Sequence, residues 1–210
     1  KVLGGTSSIN GMVYMRGNAA DYDEWRQRGC DGWDYESVLP YFKRAEDQER
    51  GADAFHGVGG PLKVTDHRWQ PTLAKAMHEA AQQAGIPANP DFNGATQEGV
   101  GFYQVTINNA RRWSSARAYL GDAKTRRNLT IATSAHATRL LIENGKAVGV
   151  EYRTPDGLKR ARARREVIVS GGVYGSPQLL MLSGLGPAEH LRKHGIEVVR
   201  DMPGVGSNLH

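Results

Sequence analysis

Residues 166–184 read EVIVSGGVYGSPQLLMLSG, and how this stretch folds decides the class of the protein. The β-branched run EVIVS is continuous rather than alternating, the pattern of a strand buried on both faces of a parallel sheet. Gly171 and Gly172 close that strand. Ser176 is then a natural helix N-cap, Pro177 suits a first helical turn, where its missing N–H is harmless, and Gly184 ends the helix. Strand, glycine turn and capped helix make half of a dinucleotide-binding unit, and open α/β sheets bind nucleotides at such turns. Taken alone, an ordinary strand–helix connection explains the stretch better.

Upstream, LTIAT (129–133) is another short β-rich run. Residues 137–165 then place Asn144-Gly145 and Asp156-Gly157 between alternating segments, which predicts a three-stranded antiparallel meander. Arg160, Arg162 and Arg164 alternate with alanines, as on a strand with one wet face. Earlier segments are helical. Residues 18–29 read as a short helix closed by Gly29. Residues 33–49 form a second, capped by Asp34 and split or kinked at Pro40. Residues 71–87 form a third, with Leu73, Met77, Ala80, Ala81 and Ala84 on one face and a stop at Gly85 and Pro87. Residues 88–101 predict a long loop of the kind that serves as a functional lid. WSSARAYL (113–120) is a short helix. The fold class is α/β (mixed α+β).

Composition limits the functions open to such a chain. Its 210 residues are 39% hydrophobic, with mean hydropathy −0.54, enough for one large domain or two small ones. No apolar run reaches the roughly 18 residues of a membrane span, so no transmembrane segment is expected. Cys30 is the single cysteine. No disulfide within the chain is possible, a reducing cytoplasm fits, and Gly, Asp and Trp neighbours suggest a buried or half-buried structural thiol. The net charge of +5 comes from dispersed arginines without an aromatic-interleaved motif, so no nucleic acid is expected as partner. His190 and His194 stand at i, i+4 on a helix, but histidines near a helix C-terminus are favourable in any case, and no metal site is assigned. Ser183 lacks the context of a nucleophile elbow.

The chain opens KVLGGTSSINGMVYMRG (1–17). Gly4 and Gly5 let the main chain approach a ligand and take positive φ. Thr6, Ser7 and Ser8 add hydroxyls, and consecutive N–H groups in such a turn form an anion-binding concavity suited to a pyrophosphate. Asn10 can hydrogen-bond the next portion of such a ligand. A plain linker has the same composition.

Together the two glycine stretches resemble the two signatures of the glucose–methanol–choline (GMC) oxidoreductases. Lys1, Leu3, Gly4, Gly5, Thr6, Ser7, Ile9, Asn10, Tyr14, Gly17 and Asp23 fall on the first. Gly172, Ser176, Pro177, Leu179, Leu180, Ser183, Gly184 and Gly186 fall on the second, and Val173 departs from it. The intervening sequence resembles the choline-dehydrogenase-like branch. The resemblance implies an FAD-dependent alcohol oxidoreductase and a partial FAD-binding Rossmann-like domain. It assigns residues 1–17 to an FAD-binding loop, 18–120 to a helical and substrate-side segment, and 121–210 to the partial FAD-binding domain. Gly4, Gly5, Thr6, Ser7, Asn10 and Gly11 would follow the FAD pyrophosphate toward the flavin, Ala137 would meet adenine, and Gly171 and Gly172 would border the adenosine, so that the two turns converge on one nucleotide. Ile9 stands where some family members attach flavin through His, so FAD should be non-covalent. Phe92, Phe102, Tyr103 and Trp113 are candidates for lining the alcohol pocket, with core packing favoured for each singly.

The resemblance further implies that the chain is an internal piece. The GxGxxG turn would lie upstream and the catalytic His downstream, so no catalytic residue is assigned within it, His210 included. A small-molecule alcohol and an electron acceptor (quinone, dye or oxygen) are the implied partners, in the cytoplasm or peripheral to the inner membrane. A non-catalytic subdomain with a packing or interaction role is the alternative. An NAD-linked Rossmann enzyme is disfavoured, because GGTSSIN follows no strand.

Overall fold

The computed structural model describes residues 1–209 and divides the chain into two compact units, Lys1–Leu129 and Thr130–His210.

In the first unit the elements run β1 (Val13–Tyr14), α1 (Ala19–Gln27), α2 (Tyr35–Ala45), β2 (Glu46–Gln48), β3 (Leu62–Val64), α3 (Thr72–Gln83), β4 (Gln104–Val105), β5 (Ile107–Asn108), β6 (Arg111–Arg112) and α4 (Ser115–Leu120). Local chemistry sets the helix starts. The Asn18 side chain accepts from Ala20 N while Asp21 accepts from Asn18 N, closing a capping box on α1. Asp34 Oδ1 accepts from Ser37 N at 3.1 Å and caps α2. Ser114 caps α4.

Two helices differ from expectation. α2 is not split at Pro40, which lies within it; one forfeited N–H in a helix already held by its cap does not end it. It also stops at Ala45, because residues 46–48 pair in parallel with β3, from Glu46↔Leu62 to Gln48↔Val64. α3 forms within the expected 71–87 stretch but ends at Gln83, ahead of the Gly85 stop at φ +88°. The apolar stripe nevertheless faces solvent, with Leu73 72% and Met77 66% exposed. Ala81 alone of the stripe is half-buried, together with Ala74 and His78 from beside it, and His78 meets the Phe102 ring at 5.5 Å. Cys30, expected to be buried or half-buried, is exposed, since it lies just past α1 in a surface turn.

The second unit contains β7 (His136–Glu143), β8 (Lys146–Thr154), β9 (Gly157–Arg162), α5 (Gly172–Leu182), β10 (Leu185–Gly186), α6 (Ala188–Lys193) and β11 (Arg200–Asp201). β7, β8 and β9 form the antiparallel meander. Asn144 and Gly145 both take positive φ (50° and 75°) at the first turn, as a tight hairpin demands. β9 is exposed on both faces rather than one, because it is an edge strand. Its Arg160 and Arg162 reach sideways to Glu151 and Glu143, at 3.0 and 2.8 Å. α5 packs on β7, and Ser183 Oγ accepts from Leu140 N at 2.8 Å while donating to Leu179 O at 2.6 Å. Among the described residues of this unit, Leu140 and Leu191 are the buried apolar side chains.

The strand expected at 166–170 does not form, and Ile168 is 80% exposed. Residues 129–133 are likewise irregular. A parallel strand needs hydrogen-bonding neighbours, and no strand among the described residues pairs with either stretch. α5 also begins five residues earlier than expected. Its N-cap is Gly171, and Ser176 lies within the helix, its Oγ accepting from Gly171 N at 2.9 Å.

Candidate functional site

The opening loop is a single 3₁₀ turn, Gly5–Ser8, entered through Gly4 at φ +91° and Gly5 at φ +55°. Both conformations favour glycine. A Cβ on Gly4 would meet Ser8 Oγ at 2.5 Å and Ala116 Cβ at 3.3 Å, whereas Gly5 and Gly11 face open space. Residues more than a hundred positions away hold the turn. Ser7 Oγ lies 2.9 Å from Ser115 Oγ and accepts from Ser115 N at 2.9 Å. Ser115 Oγ reaches Gly4 O at 3.1 Å, and Arg112 Nη1 donates to Ser7 O at 3.2 Å. Asn10 Oδ1 accepts from Met12 N and from Arg112 Nη1, each at 3.0 Å. Gly5, Thr6, Asn10 and Gly11 remain exposed. The result is a fixed loop whose bare main chain, hydroxyl and carboxamide face outward beside a cation. That donor set suits an anionic, phosphate-bearing ligand, and the space before Gly5 and Gly11 leaves room for close approach.

In the second unit, Gly172 takes φ +86° and a Cβ there would meet nothing. Gly171 has Ser176 N 3.1 Å from where its Cβ would stand. Both glycines are exposed at the start of α5. Ala137 pairs with Tyr152 beside an irregularity in register between Ala137 and Arg139. A cleft of ≈ 930 Å³ in this unit is lined by Tyr174, Pro177, Met181, His190 and His194 among others. The two histidine rings are 4.7 Å apart. Among the described residues no group of three or more His, Cys, Asp or Glu could hold a metal ion.

Sequence reasoning missed the buried polar cluster of the first unit. Arg16 Nη2 stands 2.9 Å from Glu46 Oε1, and His56 bridges Glu46 Oε1 (3.0 Å) and Asp91 Oδ2 (2.9 Å). Gln48 and Gln104 exchange side-chain hydrogen bonds at 2.8 Å. The hydrogen bond to Glu46 raises the His56 pKa above its ordinary 6.5; burial opposes this, and Asp91 adds to it. Burial pushes Glu46 upward, but His56, the Gly57 N–H and Arg16 outweigh it and hold the carboxyl below 4.5. Burial pushes Tyr14 up to about 12. The cluster grips the 88–101 loop. Asn93 Oδ1 accepts from Arg16 N at 2.7 Å, and Asn89 Nδ2 donates to Thr96 O and Glu98 O at 3.0 Å. The loop expected to act as a lid is therefore latched by its own asparagines. The only sequence signal was the density of Asn, Asp and Gly in that loop, because the bonded partners lie 7 to 77 positions apart.

The candidate aromatics pack against neighbours. Phe92 meets Tyr103 at 5.2 Å, Phe102 meets His78, and Trp113 Nε1 donates to Pro61 O at 2.8 Å. His210 lies outside the described residues.

Solved structures with the same fold define the class. A pyridoxine 4-oxidase from Mesorbium loti superimposes on 94% of this chain, and on 39% of its own, with TM-score 0.87 at 34% identity. A fungal aryl-alcohol oxidase covers 97% and 38%, with TM-score 0.88 at 27% identity. The fold is that of FAD-dependent oxidoreductases. Residues 1–210 match the GMC oxidoreductase family model along their whole length, and the chain belongs to that family. GMC oxidoreductases are FAD-dependent. Among curated relatives, the oxygen-dependent choline dehydrogenase of Brucella ovis is 50% identical over 209 residues, and the mitochondrial choline dehydrogenase of Homo sapiens 49%. The alignments span all of this chain but 38% and 35% of those relatives' lengths. No helix among the described residues is long and apolar enough to cross a membrane.

Proposed function

We propose that this chain supplies FAD-binding elements of an alcohol dehydrogenase similar to choline dehydrogenase. The observation that carries the reading is the opening loop: glycines at positive φ, pinned from beneath by Ser115 and Arg112, present exposed main chain toward open space. In this reading Gly4, Gly5, Thr6, Ser7, Asn10 and Gly11 bind and orient the pyrophosphate and the adjoining part of FAD. Ala137, Gly171 and Gly172 contact its adenosine part. Bound FAD supplies a hydride acceptor at flavin N5 for a primary alcohol, and protein groups supply orientation and electrostatics. Ile9 offers no heteroatom for a covalent link, so FAD is held by non-covalent contacts. No catalytic base is assigned among the described residues, and the 210-residue chain alone is expected neither to hold FAD tightly nor to oxidise alcohols.

The test is anaerobic. The full-length protein containing this chain is purified, its flavin spectrum recorded, and choline and a panel of other primary alcohols added. Bleaching of the flavin band by one of them supports the reading. A protein that carries flavin and is bleached by none would refute the dehydrogenase assignment, and one that takes up no flavin would refute the cofactor.

A further inference from the structure

We infer that Arg112 is a positioning residue that fixes the Asn10 carboxamide with its NH₂ outward, so that Asn10 meets FAD as a hydrogen-bond donor. The inference rests on the flavin reading above and concerns a residue outside both glycine stretches.

Both lone pairs of Asn10 Oδ1 are engaged, one by Met12 N–H and one by the Arg112 guanidinium, each at 3.0 Å. Turning the amide over would set its NH₂ against two donors, so the flipped form is excluded by chemistry. Asn10 Nδ2 has no hydrogen-bond partner among the described residues, and Asn10 is exposed on the open side of the loop. Arg112 also donates to Ser7 O, so one guanidinium ties Asn10 to the turn that precedes it. Among the described residues it has no carboxylate partner. Its charge stays uncompensated and strengthens its bond to Asn10. Arg112 thus acts on FAD through Asn10, which supplies the donor.

FAD is removed from the full-length protein and its rebinding followed by quenching of flavin fluorescence, for wild type, Asn10→Ala, Arg112→Gln, Arg112→Lys and the Asn10→Ala/Arg112→Gln double variant. Thermal midpoints of the flavin-free proteins are measured in parallel. A charge-assisted contact made or misaligned corresponds to about tenfold in affinity, so Asn10→Ala and Arg112→Gln should each weaken binding by about that factor. Because both remove the same donor, the double variant should be no weaker than Asn10→Ala alone. Arg112→Lys, which keeps a cationic donor, should recover part of the loss. Wild-type affinity in Asn10→Ala would overturn the inference, as would losses that multiply in the double variant alongside a lowered flavin-free midpoint for Arg112→Gln. If wild type itself takes up no FAD, the flavin reading fails and the inference falls with it.

Discussion

His56 Nδ1 lies 3.0 Å from Glu46 Oε1, and both side chains are buried. The pair makes the first unit pH-sensitive in two windows. His56 has its pKa raised in the folded state, so its contribution is fully present below 6.5 and is lost as pH rises through the raised value. Glu46 has its pKa lowered, so its contribution is present above 4.5 and is lost as pH falls through the lowered value. The thermal midpoint should decline from pH 6.5 upward, and His56→Gln should flatten that decline. A wild-type midpoint that stays level there and matches the variant would contradict this account.

Removing the carboxylate beneath Arg16 should be severe. Arg16 and Glu46 have side chains 3% and 0% exposed, and a buried charge stripped of its partner costs about 3–5 kcal/mol. Glu46→Gln keeps the shape and removes the charge, so denaturant unfolding should show a loss of that order. A loss below about 1 kcal/mol, the scale of exposed pairs, would mean that water reaches Arg16.

In the second unit, Ser183→Ala should leave the Leu140 amide without its acceptor. Leu140 and Ser183 are both buried, and an unsatisfied buried donor costs about 1–3 kcal/mol. Hydrogen exchange at the Leu140 amide should accelerate accordingly. Unchanged protection would show that another acceptor takes over.

Two glycines of the opening loop should separate folding from binding. Gly4→Ala meets Ser8 Oγ and a φ of +91°, so it should destabilise the flavin-free protein by about 1–2 kcal/mol, the cost of an L-residue in this region. Gly11→Ala meets nothing and should leave the flavin-free midpoint unchanged while weakening FAD binding. Equal flavin affinity in wild type and Gly11→Ala would remove Gly11 from the site.

Features set by neighbours in sequence were legible in it. Asp34 caps a helix, and Asn144-Gly145 turns a hairpin, through contacts within three residues. Residues 166–170 misled, because β-branched composition marks a segment fit for a sheet without providing the partner strands. The Leu73 and Met77 stripe misled in the same way, since periodicity identifies an apolar face but not what covers it. The glycine loop was recognisable, yet its supports Arg112 and Ser115 were not, because they approach it only through the fold. The His56 cluster left only the Asn, Asp and Gly density of residues 88–101, its bonds joining residues from separate strands and loops.

The interior of the first unit is built around Arg16, Glu46, Gln48, His56, Asn89, Asn93 and Gln104, with Val64 and Val105 as its buried aliphatics. Melting such an interior wets polar surface, which lowers heat capacity, along with the apolar surface that raises it. Calorimetry should therefore give a small heat-capacity increment per residue for this unit, with stability that varies little between cool and warm temperatures.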